Sequence, residues 1–253
     1  MRDDMNDLLA ICVDVARQAG AAIMDLYDEH DLTLAHKADD SPLTRADLAA
    51  NTIIETTLTR TADFPIISEE GAHDAGKSPT FWLVDPLDGT KEFLKHNGEF
   101  TVNIALVFEG VPRLGVVYAP ALDTLYWGAE GLGAYIQIGN DEPVAIRSSY
   151  EGQQPTVVVS RSHADQETAD FLDKLGPHHA LSMGSSLKLC LVAEGVASVY
   201  PRFGPTSLWD TAAADAVVRT AGGSVTDMSE AALRYEPQKT LLNPAFIVRA
   251  GSY

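Results

Sequence analysis

Cysteine is scarce in this sequence, and long apolar runs are absent from it. Two cysteines, Cys12 and Cys190, stand among 253 residues, which is too few and too widely spaced for a disulfide framework or a zinc motif. Both fall in apolar, helix-like segments, so we expect buried free thiols of the kind found in a reducing cytoplasm. No uninterrupted run of about 18 apolar residues occurs, which argues against a membrane-spanning helix.

Basic residues are also few. The chain has 18 Lys and Arg against 36 Asp and Glu, a net charge of −18, which excludes nucleic-acid binding through a basic surface. A phosphorylated small molecule remains compatible, because bound metal ions can invert the local field. The N-terminus is acidic and amphipathic, so we expect a packed helix there and not a signal peptide. The expected location is the cytoplasm; peripheral association with the cytoplasmic face of the inner membrane stays open, although no basic amphipathic patch favours it.

The most informative motif is DPLDGT at residues 85–90, directly after an apolar run. That run predicts a buried strand, Pro86 restricts its own φ, and Gly89 permits a left-handed backbone. A tight turn can therefore bring the carboxylates of Asp85 and Asp88 together. Two carboxylates and a phosphate suit Mg²⁺ better than Zn²⁺. The alternative is ordinary turn chemistry, in which the aspartates bond nearby backbone N–H groups.

Two further acidic positions stand in contexts that suit a metal site. Glu69 follows a short apolar run and so lies at the carboxyl end of a second predicted strand, where open α/β sheets bind ligands. Asp210 opens an Ala-rich helical stretch. The alternatives are a solvated acidic loop for Glu69, which is our interpretation of Glu70, and a helix N-cap for Asp210.

The order of predicted elements indicates an α/β protein of two lobes. The first half has predicted helices at 7–27 and 48–59, strands at 65–68 and 81–85, and a meander of strands at 102–108, 114–118, 124–128 and 134–138. The second half has predicted strands at 156–160, 197–200 and 245–249 and helices at 165–175, 185–194 and 210–221. The polar stretch 147–155 separates them, so we predict an α+β lobe at 1–147 and an α/β lobe at 148–253.

Several ordered stretches resemble one enzyme family. They are residues 37–44 with Ala46 and Asp47, 68–70, 82–106, 159–163, 184–188, 200–206 and 209–211. Through them the chain, from about Val15 onward, resembles the inositol monophosphatase-like metal-dependent phosphatases and, within that group, the bacterial 3′(2′),5′-bisphosphate nucleotidases. Glu92-Phe93 separates the two, because inositol phosphatases usually carry Asn-Phe there. The resemblance implies an α/β/α/β/α sandwich with the active site between the lobes.

The resemblance also implies roles for the matching residues. Two or three Mg²⁺ ions would be bound by Glu69, Asp85, Asp88, Asp210 and the carbonyl group of Leu87. Asp47 and Thr90 would orient and deprotonate the attacking water, since a hydroxyl passes a proton and a carboxylate accepts it. From the residues alone, the alternatives are that Thr90 caps the following turn and that Asp47 caps its helix. Metal-activated water needs no covalent phosphoenzyme.

Substrate contacts are implied mainly in the second half. The matching residues are Gly89, Thr90, His163, Ser185, Lys188, Arg202 and Asp210. Ser185 begins a predicted helix whose N–H groups suit an anion, and Lys188 lies three residues on. The alternatives are an exposed helix lysine for Lys188, a surface charge partner for Arg202 and an ordinary loop residue for His163. Arg161 receives no role.

Three hypotheses about function follow. The first is a Mg²⁺-dependent phosphohydrolase that removes the 3′-phosphate of adenosine 3′,5′-bisphosphate, and also of its sulfated 5′ relative. The second is an inositol or sugar monophosphate phosphatase. The third is a non-catalytic regulator that binds metal and nucleotide, although Asp47 and Thr90 argue against it, because a pure binder does not activate water. The chain would act as a monomer or homodimer, and kinship indicates recycling of a by-product of sulfate assimilation.

Overall fold

Six helices and fourteen strands form the fold in the part of the chain that the structure describes. The structure, a computed structural model, describes residues 2–27, 35–36, 42–43, 45–71, 74, 76–161 and 165–251. The helices are α1 (Arg2–Tyr27), α2 (Arg45–Thr61), α3 (Thr90–Leu94), α4 (Gln166–Leu175), α5 (Leu187–Ala193) and α6 (Ala212–Thr220). The strands are β1 (Ala35–His36), β2 (Pro42–Leu43), β3 (Ile66–Ser68), β4 (Thr80–Asp88), β5 (Thr101–Phe108), β6 (Val111–Ala119), β7 (Thr124–Ala129), β8 (Gly133–Ile138), β9 (Val144–Ala145), β10 (Thr156–Ser160), β11 (His179–Met183), β12 (Val199–Arg202), β13 (Ser224–Asp227) and β14 (Phe246–Arg249).

The larger sheet has seven strands in the order β3-β4-β5-β6-β7-β8-β9. Strands β4 to β9 form an antiparallel meander, and β3 pairs in parallel with β4. Strands β4 and β5 are buried along most of their length, because helices cover both faces of the sheet. The predicted meander is confirmed.

Helices α1 and α2 cover one face of this sheet. Cys12, Val15, Ala19 and Ile23 lie on the inner side of α1 and are fully buried, which confirms the predicted packing of the N-terminal stripe. Cys190, in α5, is buried as well, and both thiols are free as predicted.

Helices α5 and α6 cover the opposite face and form the central layer. The axis of α6 comes close to the sheet because the facing strand residues are glycines. A Cβ atom added at Gly115 of β6 would collide with the carbonyl oxygen of Ala213, and one added at Gly128 of β7 would collide with the hydroxyl of Thr220. The glycines therefore determine how closely the central layer packs.

The smaller sheet has five strands in the order β11-β10-β12-β14-β13 and lies on the other side of α5 and α6. Its outer face packs against α4, where Val157, Val199 and Ile247 contact Phe171 and Leu172. The layers are therefore α1 with α2, the seven-stranded sheet, α5 with α6, the five-stranded sheet, and α4. This order confirms the predicted α/β/α/β/α sandwich.

Several boundaries differ from the prediction. The strand predicted at 81–85 continues to Asp88, and the helices predicted at 185–194 and 210–221 begin two residues later, at Leu187 and Ala212. Strands β11 and β13 were not predicted, because their sequences HALSM and SVTD contain few apolar β-branched residues and pairing with neighbouring strands decides their conformation. The division into lobes at residue 147 stays a prediction. Across the described ranges, no helix combines the length and apolarity needed to cross a membrane.

Candidate active site

The motif at residues 85–90 begins in a β-bulge at the end of β4, and the predicted tight turn is wrong. Asp85 pairs with Asn103 and Asp88 pairs with Thr101, so β4 has one residue more than β5 in this interval. Side chains alternate along a strand, and two aspartates three positions apart would otherwise point to opposite faces. The extra residue returns Asp88 to the face of Asp85. The bulge, and not a tight turn, therefore places the two carboxylates on the same face of the sheet, and their convergence on one metal ion stays a prediction.

The bulge contains one element of ordinary turn chemistry. The Leu87 N–H donates to Asp85 Oδ1 at 3.1 Å, which is the local bond that the alternative interpretation requires. Pro86 has no N–H to contribute to the ladder, and a bulge is one of the places where a sheet accepts proline. The local bond and the placement of both carboxylates on one face thus occur together.

Gly89 ends the bulge in the left-handed conformation, with φ 92° and ψ 41°, as the sequence predicts. A Cβ atom at this position would lie 3.2 Å from the carbonyl oxygen of Glu99, so the backbone is also closely approached. Helix α3 then begins at Thr90, whose Oγ1 lies 3.5 Å from the carbonyl oxygen of Leu87. The hydroxyl expected to handle protons and the carbonyl expected to bind metal are therefore neighbours.

Four other carboxylates act on Asp85. Burial raises the pKa of Asp85 well above its ordinary value, and the negative charges of Glu69, Asp88, Asp210 and Asp47 raise it further. These residues come from separate segments: the end of β3, the end of β4, the turn before α6 and the first turn of α2. The structure thus brings all the acidic residues predicted for the site into one electrostatic neighbourhood, which we call the acidic cavity.

The pKa values of two other carboxylates in the acidic cavity, Asp88 and Asp210, are also raised. Burial raises the pKa of Asp88, while the charge of Lys188 and a hydrogen bond from Ser186 oppose the rise. Burial and the charge of Asp88 raise the pKa of Asp210 to about 8, although the Ser207 N–H, which donates to Asp210 Oδ2 at 2.9 Å, opposes that change. Burial is the largest cause of each rise, so a cation that enters the site would favour the ionised carboxylates.

Asp210 does not cap a helix. Helix α6 begins at Ala212 with Thr211 as its N-cap, and the carboxylate of Asp210 instead accepts from Ser207 within a turn. The N-cap interpretation of Asp210 is therefore wrong. Its side chain is fixed by local backbone geometry at the edge of the acidic cavity.

The chemistry of the acidic cavity fits hard divalent cations. Its donors are carboxylate and carbonyl oxygens, the ligands that Mg²⁺ prefers, and their unbalanced negative charge is what such ions neutralise. Within the described ranges, no three His, Cys, Asp or Glu side chains are already close enough to hold an ion. Coulombic interactions act over longer distances than coordination does, so the carboxylates share a cavity without converging on one point.

Two buried cations lie beside the acidic cavity. Lys188 in α5 and Arg202 at the end of β12 are 9% and 8% exposed, which excludes the surface interpretations of both. Burial and the charge of Arg202 lower the pKa of Lys188, whereas Asp88 and Asp210 oppose that change. Lys188 Nζ donates to the carbonyl of Ser185 and lies 5.7 Å from the ring centroid of Tyr200. Its ammonium group is therefore directed toward the acidic cavity and not toward solvent.

Arg202 has spare donor capacity. Its Nη2 donates to the carbonyl of Pro205 at 3.0 Å, whereas its buried Nε has no hydrogen-bond partner among the described residues. The guanidinium also lowers the pKa of Asp210, so it lies close to that carboxylate. A planar donor in this position suits an anionic oxygen.

The remaining predicted substrate residues have mixed outcomes. Ser185 precedes α5 and adopts a left-handed φ of 46°, and the Leu187 N–H approaches its Oγ at 3.4 Å. His163 lies outside the described residues. Arg161, which received no role from the sequence, forms a paired contact with Glu99 through Nε at 2.6 Å and Nη2 at 2.7 Å.

Comparison with known proteins identifies the family. A sequence profile of the inositol monophosphatase family matches residues 4–252. The chain belongs to this family. The match begins earlier than the resemblance predicted from Val15 onward, and it confirms the family assigned from the motifs.

Individual members of the family give a finer comparison. The 3′(2′),5′-bisphosphate nucleotidase CysQ of Salmonella typhimurium is 51% identical over 239 residues, which cover 92% of this chain and 96% of the relative. CysQ of Escherichia coli K12 gives the same identity and coverage. The crystal structure of CysQ from Bacteroides thetaiotaomicron has a TM-score of 0.87 and 42% identity over 98% of both chains. An inositol monophosphatase from Anabaena has a TM-score of 0.75 and 25% identity, over 99% of this chain and 92% of that one.

Ser186 and Asn103, which contact the candidate site of this chain, were not identified from the sequence. Ser186 Oγ lies 2.8 Å from Asp88 Oδ2, and the amide Nδ2 of Asn103 donates to Ser186 Oγ at 2.7 Å. One sequence signal was available. Asn103 is a lone amide in the strand TVNIALVF, and an amide within a strand that is buried on both faces needs a partner.

Proposed function

We propose that this chain is a Mg²⁺-dependent phosphohydrolase that removes the 3′-phosphate of adenosine 3′,5′-bisphosphate. The observation that carries the proposal is the position of Lys188 and Arg202, two buried cations beside a cavity of carboxylates. A monophosphate needs the acidic cavity alone, whereas a bisphosphate has a second phosphate for the cations to hold. The 51% identity to curated 3′(2′),5′-bisphosphate nucleotidases supports the same substrate class.

The acidic cavity is the proposed metal site. The ligands would be Glu69, Asp85, Asp88, Asp210 and the carbonyl oxygen of Leu87, and we expect two or three ions. When bound, Mg²⁺ supplies positive charge that offsets the carboxylates and lowers the pKa of a coordinated water. The raised pKa values of Asp85 and Asp88 support this role, because burial disfavours the ionised carboxylates and a bound cation would favour them.

Asp47 and Thr90 are the proposed proton-handling pair. Thr90 opens α3 beside the carbonyl of Leu87, and the buried carboxylate of Asp47 acts on Asp85. The hydroxyl of Thr90 would receive a proton from the attacking water while passing its own toward Asp47. The water oxygen would bond to phosphorus as the bond to the ribose 3′-oxygen breaks, and that oxygen would take a proton from solvent and leave as the 3′-hydroxyl. The backbone N–H groups of Gly89 and Thr90 would hold the reacting phosphate.

The second half of the chain would hold the rest of the nucleotide. Lys188, Arg202 and the hydroxyl of Ser185 are the proposed contacts of the 5′-phosphate, and His163 stays a predicted contact. Because the two cations are largely desolvated, a dianionic phosphate would gain more from them than from exposed side chains. The predicted cytoplasmic location and the monomeric or dimeric state stay predictions.

The first experiment measures phosphate release from adenosine 3′,5′-bisphosphate and from inositol 1-phosphate, with and without Mg²⁺. We expect the nucleotide to be strongly preferred, Asp88→Asn to abolish turnover, and the exposed control Asp227→Asn to keep it. Preference for the inositol ester would retain the metal chemistry and overturn the substrate. Tight binding of metal and nucleotide without turnover would favour the regulator.

The second experiment tests the phosphate contacts. Lys188→Met and Arg202→Met are each expected to lower kcat/KM for adenosine 3′,5′-bisphosphate about 10- to 100-fold, the usual effect of losing a charge-assisted bond. Adenosine 3′-monophosphate has no 5′-phosphate, so its kcat/KM should change much less. Equal losses for both substrates would refute the assignment of these cations to the 5′-phosphate.

A further inference from the structure

The hydroxyl of Ser186 joins the seven-stranded sheet to the turn before α6. Its Oγ lies 2.8 Å from Asp88 Oδ2, at the end of β4, and 2.8 Å from the carbonyl oxygen of Asp210, in the turn before α6. The third contact is the Asn103 amide, whose Nδ2 donates to the same oxygen at 2.7 Å. Ser186 and Asn103 are each 1% exposed, so water does not replace these bonds at low cost.

Hydrogen-bond chemistry shows which groups donate and which accept at Ser186 Oγ. A serine hydroxyl has one proton to donate, and it accepts through its lone pairs. Because Asn103 donates to Ser186 Oγ, the proton of Ser186 is directed to the carboxylate of Asp88 or to the carbonyl of Asp210. Burial disfavours the ionised form of both residues, and the charge of Asp88 raises the pKa of Asp210 further. The hydroxyl therefore links two segments whose carboxylates repel each other.

Asn103 is held rigidly at this junction. It lies in the middle of β5 and pairs across the sheet with Asp85. Its Oδ1 is buried and has no hydrogen-bond partner among the described residues, which is unfavourable for a side chain between Val102 and Ile104. An apolar residue would avoid that cost. The bond to Ser186 is the interaction that explains an amide here.

We propose that Ser186, oriented by Asn103, is a positioning residue that sets the separation of Asp88 and Asp210 for metal binding. The inference rests on the proposed function, in which both aspartates hold Mg²⁺. Ser186 is also the residue before α5, yet its side chain makes no capping bond, so the hydroxyl is not needed to begin that helix. Bonds of this kind, outside the metal ligands themselves, typically change metal affinity or activity by about 10- to 100-fold when they are removed.

The test compares two serine-to-alanine substitutions, each of which removes a buried hydroxyl next to helix α5. Ser186→Ala removes the junction at the start of α5, whereas Ser148→Ala removes a buried hydroxyl that donates to the Val192 carbonyl in the same helix at 2.7 Å. Calorimetric titration with Mg²⁺ alone gives the affinity, and thermal unfolding of the metal-free protein gives the stability. We expect similar changes in stability, but a loss of about 10- to 100-fold in Mg²⁺ affinity for Ser186→Ala alone.

A second variant and a second measurement separate positioning from general damage. Asn103→Leu acts through Ser186 in this scheme, so the double variant should bind Mg²⁺ no more weakly than Ser186→Ala. Turnover by Ser186→Ala should recover when Mg²⁺ is raised to saturation, which a damaged fold would not allow. Unchanged Mg²⁺ affinity in Ser186→Ala, together with loss of binding in Asp88→Asn, would overturn the inference but leave the proposed function standing. Unchanged affinity in Asp88→Asn would overturn both.

Discussion

Binding of Mg²⁺ near neutral pH is expected to release protons from the acidic cavity. In the experiment, Mg²⁺ is added to protein from which a chelator has removed any bound metal. Carboxylates bind metal in their ionised form, so protonated members of the cavity must lose their protons first. Asp85, Asp88 and Asp210 all have raised pKa values, and burial is the largest cause for each.

Asp210 determines how many protons we expect Mg²⁺ binding to release. With its pKa raised to about 8, roughly 90% of this carboxyl is protonated at pH 7 in the metal-free protein. Binding at pH 7 should therefore release about one proton from Asp210, and more if Asp85 or Asp88 still holds one. Between about pH 6 and pH 8, the Kd for Mg²⁺ should fall by up to about tenfold for each pH unit.

Isothermal titration at pH 7 in two buffers of contrasting ionisation enthalpy measures the number of protons released. A repeat at several pH values gives the slope of the affinity. The control Asp227→Asn, at an exposed turn, should leave the proton count unchanged, whereas Asp210→Asn should lower it by about one. A proton count of zero in wild type, with one Kd from pH 6 to pH 8, would refute the reasoning.

The same groups make the stability of the metal-free protein depend on pH. Asp210 ionises near the ordinary aspartate pKa of 3.8 when unfolded and at about 8 when folded, so the folded protein binds more protons between these values. The free energy of unfolding of the metal-free protein therefore falls as pH rises through this window. We expect the Tm of the chelated protein to fall from pH 5 to pH 8, and Mg²⁺ to restore it most at pH 8. A Tm that rises over this range would contradict the assignment.

Three further predictions concern the rest of the fold. Asp215→Asn breaks the ion pair between the buried Asp215 and the partly exposed Arg219, whose bonds are 2.6 and 2.8 Å long, and should lower the free energy of unfolding in urea by about 1.5–3 kcal/mol; a loss below about 1 kcal/mol would contradict this. Gly115→Ala forces a methyl group against the backbone of α6 and should lower the free energy of unfolding by at least about 1–3 kcal/mol, which thermal melts would detect. Burial raises the pKa values of Cys12 and Cys190, so neither thiol should react with a disulfide reagent at pH 8 until denaturant is added.

Local patterns predicted most of the secondary structure. Period-two runs in the first half and the amphipathic stripe of α1 identify elements that remain in the structure with small shifts of their ends. Strands β11 and β13 could not be found in this way, because their conformation depends on partners that are distant in sequence.

The candidate site, like the secondary structure, was predicted from the sequence only in part. The motif at residues 85–90 and its matches with a known family were enough to select the acidic residues, including Asp47, whose local sequence gives no functional signal. The bulge that turns Asp88 toward Asp85 was not predicted, since a bulge depends on the register of β4 against β5.

The sequence by itself determined most of the order of elements, because this follows from residue types and short-range spacing, and its ordered motifs identified the family. The set of oxygen ligands is a prediction that rests on the same family resemblance. The tertiary structure alone decided the burial of Lys188, the electrostatic coupling of Asp210 to Asp88, and the bridge through Ser186. Burial and charge interactions are properties of three-dimensional distance, and the residues that meet at Ser186 come from strands β4 and β5 and from the turns before α5 and α6. Their separation in sequence carries no information about that distance, so only the packed layers could provide it.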